Sequence, residues 1–256
     1  MTPCDKLGAV LTAFRNRLPG INLPILGRPE EDAFIGGMSL LRALVVQADA
    51  AHRLVSSGPE EAAAGNARQG LEAWADLSLM FRQGDPSENA RIARAHGLLQ
   101  MAVYYRQFAD PADDELRLEA EENGRKLTAL REAHPGAVAT AEARGQYWSG
   151  LGRAAAVATA GELADHDATV LRGAYKLYSF EAHHIVTGAR DWRRAELGPD
   201  RAEIGFGFHV APEVIAGHCA LLVHLLLDAW DILATVSPEM RQLVPGMPDP
   251  GESQSR

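Results

Sequence analysis

The segment Tyr175-Lys176-Leu177-Tyr178-Ser179-Phe180-Glu181-Ala182-His183-His184 sets protic and ionisable side chains into what otherwise reads as an apolar helix. Residues four apart share a helical face, so Tyr175, Ser179 and His183 form one stripe, and Lys176 stands two turns from His183. A histidine there can serve as general acid or base, and a lysine can hold the negative charge of a phosphate or carboxylate. The same residues also suit a packing role, with their polar tips hydrogen-bonded to neighbouring helices. On the adjoining stripe, Glu181 and His184 have the Glu-x-x-His spacing of di-iron carboxylate bundles, but the second copy that such a centre needs is absent.

Two further clusters carry charge at helical spacing. Arg68, Glu72 and Asp76 follow one another by single turns, which places a cation and two anions on one stripe. Exposed, such a pair contributes only about 0.3–0.5 kcal/mol; buried, it can position a histidine or a ligand. The neighbours Ala67, Leu71, Trp74 and Ala75 favour partial burial. His224 and Asp228, with Asp231 beyond, offer a second metal-ligand face or a carboxylate that orients an imidazole. The metal candidates are thus Glu181, His184, His224 and Asp228, and no cofactor is specified. The chain has no phosphate-binding loop ending in Gly-Lys-Ser/Thr, no Gly-x-Ser-x-Gly elbow and no His-Glu-x-x-His.

Helices are what must position these groups. Pro3, Pro19, Pro24 and Pro29 predict a short helix over 7–18 followed by an irregular arm, so that the core begins later. Apolar spacings of three and four predict helices over 38–55, 60–83 and from Ser87 to 108, with breaks at Gly58-Pro59 and Gly84-Asp85-Pro86. An acidic helix follows Asp110-Pro111, its first acids suiting the positive end of the helix dipole. Beyond His134-Pro135-Gly136, helices are expected over 137–159, with Gly150 and Gly152 allowing a break, from Asp167 to Gly188, and over 212–236. Strand signals are weak throughout; the best, the alternation of Ile204, Phe206, Phe208 and Val210, suits a short edge strand or an extended loop, and a sheet-based enzyme would need several such runs. The expected fold is all-α, a single bundle of about seven to eight helices over 35–240, with an N-terminal helix and arm over 1–34 and a tail over 241–256.

With 256 residues, 46% hydrophobic and 23% charged, the chain can bury a sizeable core. Its formal charge of -9 opposes general attraction to nucleic-acid phosphate, while leaving room for a local basic patch. Cys4, expected in a loose terminus, and Cys219, in a very apolar segment, support neither a disulfide framework nor a zinc site. The longest apolar run, 214–227, contains His218 and His224 and reads as a buried helix, so a cytoplasmic protein off the membrane is expected.

Three groups of residues, taken in order, carry a resemblance: Ala67-Arg68-Gln69-Gly70-Leu71-Glu72-Ala73, then Trp148-Ser149-Gly150, then Tyr175-Lys176-x-x-Ser179-x-x-x-His183. Over roughly residues 38–195 the chain resembles the bacterial family labelled domain of unknown function 5677, in which an Arg-x-x-x-Glu helix precedes a Tyr-Arg-x-x-Ser-x-x-x-His segment. Lys176 replaces that arginine and loses its planar two-pronged donor, and His184 stands where proline often follows the family histidine. The layout is also similar to the HEPN superfamily of helical nucleotide-binding and RNA-cleaving domains, whose motif is an arginine, four to six residues and a histidine. Lys176-x6-His183 approximates it; Arg91-x4-His96 fits literally, but among 22 arginines and 9 histidines about two such matches arise by chance.

The resemblance implies an all-helical fold. In its ribonuclease form His183 acts on the ribose 2′-hydroxyl or the leaving oxygen, Lys176 holds phosphate charge and Glu72 orients the pair, with Tyr175 and Ser179 beside them. Arg68, Tyr178 and His184 are the expected ligand-binding residues. RNA or a nucleotide is the leading expected partner. The alternatives are a small-molecule enzyme with a His/carboxylate pocket, with or without metal, and a non-catalytic helical interaction protein; a homo-oligomer is compatible with each.

Overall fold

A computed structural model describes residues 1–17, 30–57, 63–108, 113–182, 192–198, 201–206 and 212–236. Side chains are described throughout these segments except for residues 17, 57, 180–182, 192–206, 212 and 236. The described residues form nine helices and one hairpin, an all-α bundle.

The first helix, α1 (Pro3–Arg17), is tied at its start by a reciprocal cap, Asp5 N–H donating to Thr2 Oγ1 and Thr2 N–H to Asp5 Oδ2. Leu7, Val10, Leu11 and Phe14 fall on one face and are buried. The core therefore begins earlier than the prolines suggest, because this four-residue stripe finds an apolar partner. Of the expected irregular arm, residues 18–29 lie outside the described residues.

Next, α2 (Glu31–Ser57) starts with Glu31 and Asp32 at the positive end of its dipole and buries Phe34, Leu41, Leu44, Ala48 and Ala51. The expected boundary at 34/35 therefore falls inside a helix. The central element is α3 (Ala63–Arg82), buried along most of its circumference from Ala63 to Met80. It packs against α2, α7 (Arg153–Leu163), α8 (Ala168–Ala182) and α9 (Pro212–Val236). Close approach is possible because Gly70 has no side chain: a Cβ there would lie 3.1 Å from Leu222 and 3.4 Å from Leu44. At Gly37 on α2 a Cβ would meet Leu233 of α9 at 2.5 Å and Phe81 of α3 at 2.7 Å, so any larger residue there would have to displace those side chains.

A second, smaller core lies to one side. There α4 (Pro86–Phe108), α5 (Asp114–Ala133) and α6 (Pro135–Arg144) gather Ile92, Ala95, Leu130, Ala137, Val138 and Ala141. Asp113 caps α5 by accepting from the backbone N–H groups of Glu115 and Leu116. Nine described helices against the expected seven to eight reflects the region 137–159, which divides into α6 and α7. Gly145 (φ 72°) and Gly150 (φ 74°) take left-handed conformations in the intervening turn.

Asp167 caps α8 through the N–H groups of Thr169 and Val170. The expected continuation of that helix toward Gly188 falls outside the described residues from 183 onward. Strands β1 (Trp192–Gly198) and β2 (Arg201–Phe206) pair antiparallel, Trp192 opposite Phe206, so the strand signal begins three residues earlier than its alternation indicates and as half of a hairpin, while Phe208 and Val210 lie outside the described residues. Of the described helices, α2 and α9 are long and apolar enough to cross a membrane. In the fold they place Leu41 and Leu44, and Leu222, Leu225 and Leu226, in the main core. The expected tail over 241–256 lies outside the described residues.

Candidate functional site at the α3–α7–α8 junction

The stripe Arg68–Glu72–Asp76 on α3 faces α7 and α8, and partners converge on it from both. Asp76 is only 8% exposed. Trp148, in the turn before α7, donates from Nε1 to its Oδ1 at 3.0 Å, and Arg153, the first residue of α7, donates from NH1 to its Oδ2 at 2.7 Å. Burial alone would weaken the Arg153 charge, but Asp76, Glu72 and Tyr147 outweigh it and hold that guanidinium above its usual range. Tyr147 also lies under it, 5.0 Å from ring centre to guanidinium carbon.

Glu72 is held more loosely. Arg68 Nε stands 3.6 Å from Oε1 and Arg153 Nε 3.8 Å from Oε2. From α8, the Tyr175 phenol lies beside Glu72 and Ser179. Burial first, and the Glu72 charge second, push the Tyr175 phenol above its ordinary range, so it is a proton donor at neutral pH. Of the residues expected here, Arg68, Glu72, Tyr175 and Ser179 are brought together, although about a hundred residues separate the two groups. Lys176 is exposed on the same helix. Chemically, the junction offers a neutral phenol beside a carboxylate that two guanidiniums flank without closing on it.

Not every expected residue joins this cluster. Tyr178 is 4% exposed and packs edge-on to His218, ring centres 4.7 Å apart, which makes it a core residue and corrects its reading as a ligand-binding one. Around the helix Tyr178 is offset by about 60° from Tyr175 and by about 100° from Ser179, so it sits at the edge of their stripe and turns toward the core. His183 and His184 lie outside the described residues, and the side chain of Glu181 is likewise not described.

On the opposite face of α3, Asp228 of α9 accepts from Arg82 NH2 at 2.6 Å and NH1 at 2.9 Å, and from Trp74 Nε1 at 2.7 Å. This carboxylate serves a guanidinium and an indole, not the His224 expected one turn before it. The pKa of His224 is held low by burial, Lys6 and His166. Among the described residues, no group of three His, Cys, Asp or Glu side chains is placed to hold a metal ion. The literal Arg91–His96 match also separates: Arg91 Nε meets Asp32 Oδ2 at 2.6 Å, while His96 Nε2 is 2.9 Å from the Gly145 carbonyl oxygen. His96 instead lines an open groove of about 340 Å³ between α4, α5 and α6, away from the α3–α8 cluster.

Arg153 is the residue that sequence reasoning missed. A signal existed: a lone arginine opening an alanine-rich helix puts a cation at the positive end of the dipole, an arrangement that calls for an anionic partner. His218, which interrupts an apolar run in the sequence, is 5% exposed, neither ring nitrogen has a hydrogen-bond partner among the described residues, and burial lowers its pKa. Compared with known proteins, the chain matches no family model, no curated protein and no solved structure.

Proposed function

We propose that this chain is a HEPN-like helical domain that binds RNA or a nucleotide at the α3–α8 junction and cleaves RNA without a metal. The observation that carries this reading is the meeting of Arg68 and Glu72 on α3 with Tyr175 and Ser179 on α8 in one partly buried polar cluster. Those are the residues on which the resemblance to the domain of unknown function 5677 rests. In this reading Lys176 supplies phosphate attraction from its exposed position, His183 is the acid–base group, and Glu72 with Tyr175 is the positioning pair behind it. The burial of α2 and α9 residues in the core supports a cytoplasmic protein off the membrane.

The test is cleavage of a single-stranded RNA by the wild type and His183→Ala in chelator-treated buffer. Loss of an acid–base histidine lowers the rate by about a hundredfold or more. Wild-type cleavage unaffected by the substitution, or no cleavage and no RNA or nucleotide binding by the wild type, overturns the proposal. A non-catalytic interaction protein is the second reading, favoured by one observation: Asp76 and Asp228 both spend their oxygens on arginine and tryptophan donors that fix helix packing.

A further inference from the structure

Cys4 and Cys219 are 215 positions apart, yet Cys4 Sγ donates to Cys219 Sγ across only 2.7 Å. Both are free thiols, Cys4 partly exposed and Cys219 buried. The contact belongs to an extended helix pair. Phe14 of α1 packs edge-on to Trp230 of α9 with ring centres 5.6 Å apart, ten residues beyond Cys4 and eleven beyond Cys219, so the two helices run parallel and in register. Leu7, Leu11, Phe14, Leu222, Leu226 and Trp230 fill the shared core around that seam.

We propose that Cys4 and Cys219 form an oxidation site at which a hydroperoxide introduces a reversible disulfide between α1 and α9. The thiolate of Cys4, the less buried residue of the pair, attacks the peroxide oxygen; with hydrogen peroxide the O–O bond breaks, Cys4 becomes a sulfenic acid and the other oxygen leaves as water once protonated. Cys219 sulfur then attacks Cys4 sulfur. The S–S bond forms, the S–O bond breaks, and the hydroxide departs with the Cys219 proton as a second water. Two electrons pass from the sulfur pair to one peroxide, and a dithiol returns the pair to its reduced state.

Geometry makes the second step short, since a disulfide requires about 2.05 Å and the sulfurs must close by only about 0.7 Å. Burial, and then Cys4, raise the Cys219 thiol to about 12, so Cys219 is protonated at neutral pH and the first oxidation falls to Cys4. The product closes a loop spanning most of the chain, a constraint that stabilises chiefly by restricting the unfolded state.

The experiment treats the full chain with equimolar hydrogen peroxide, then measures intact mass, alkylatable thiols and the linked peptides after digestion. The expected product is a monomer lighter by two hydrogens, with both thiols blocked, a Cys4–Cys219 linked peptide, recovery by dithiothreitol, and a thermal midpoint several degrees higher. Cys219→Ala should stop at a Cys4 sulfenic acid that a cyclic diketone traps. Peptide mapping of the wild type decides the matter even where that variant fails to fold. A Cys4 sulfinic acid with Cys219 still alkylatable, a disulfide found only between chains, or two thiols untouched by peroxide would each overturn the proposal.

Discussion

The two ends of the α3 stripe hold their carboxylates in different ways. Asp76, at the inner end, receives Arg153 at 2.7 Å and the Trp148 indole at 3.0 Å and has a side chain 11% exposed. One turn away, Glu72 has a side chain 22% exposed and meets its two arginines at 3.6 and 3.8 Å. Arg153 touches both. The tight end fixes where α7 sits on α3, because a buried charge keeps its geometry only when its lone pairs are matched. The loose end can rearrange around a ligand or a substrate proton with little loss. Placing a slack carboxylate beside a rigid one lets a polar junction anchor a fold and still retain reactive capacity.

The largest expected break in this contrast is Asp76→Ala. It strands the Arg153 guanidinium and the Trp148 N–H, and should lower stability by about 2–3 kcal/mol in denaturant titration. A change below about 1 kcal/mol would place Asp76 in the same class as Glu72. Glu72→Gln, by contrast, should cost less than about 1 kcal/mol, with the difference shrinking as salt is raised, since partly exposed pairs are screened.

The smallest effect is spectroscopic and the most selective. The folded-state pKa of Tyr175 is raised, so its neutral form contributes stability fully below an ordinary tyrosine value of about 10, and that contribution disappears as the pH climbs through the raised value. In ultraviolet difference titration, Glu72→Gln should move one tyrosine toward lower pH, while Asp76→Asn should leave it in place. A shift in both variants alike would show that the two carboxylates act as one unit.

The helical fold was legible in the sequence wherever a local rule governs: three-and-four spacing marked α2, α3, α4 and α9, and Gly-Pro and Asp-Pro pairs marked their ends. The stripe Arg68–Glu72–Asp76 was legible for the same reason, since four-residue spacing is a property of one helix. What answered it was not. Trp148 and Arg153 reach Asp76 across more than seventy residues, and Arg82 and Trp74 claim Asp228 across about 150, pairings that no periodicity encodes. The short first helix was legible but its place in the core was not: Leu7, Leu11 and Phe14 are core residues only because a helix more than 200 positions later supplies the facing surface.

The parallel seating of α1 on α9 also bears on how the chain is made. During synthesis α1 emerges before α9, the partner for its apolar face appears more than 200 residues later, and at about 5–20 residues per second that interval lasts on the order of ten to forty seconds. Throughout it, Leu7, Leu11 and Phe14 lack their final cover. Such long-range closure is a late folding event, because the entropy of the intervening loop must be overcome before the contacts repay it. A nascent chain of this protein therefore carries a sticky α1 face until α9 has been made, a natural station for a holding chaperone.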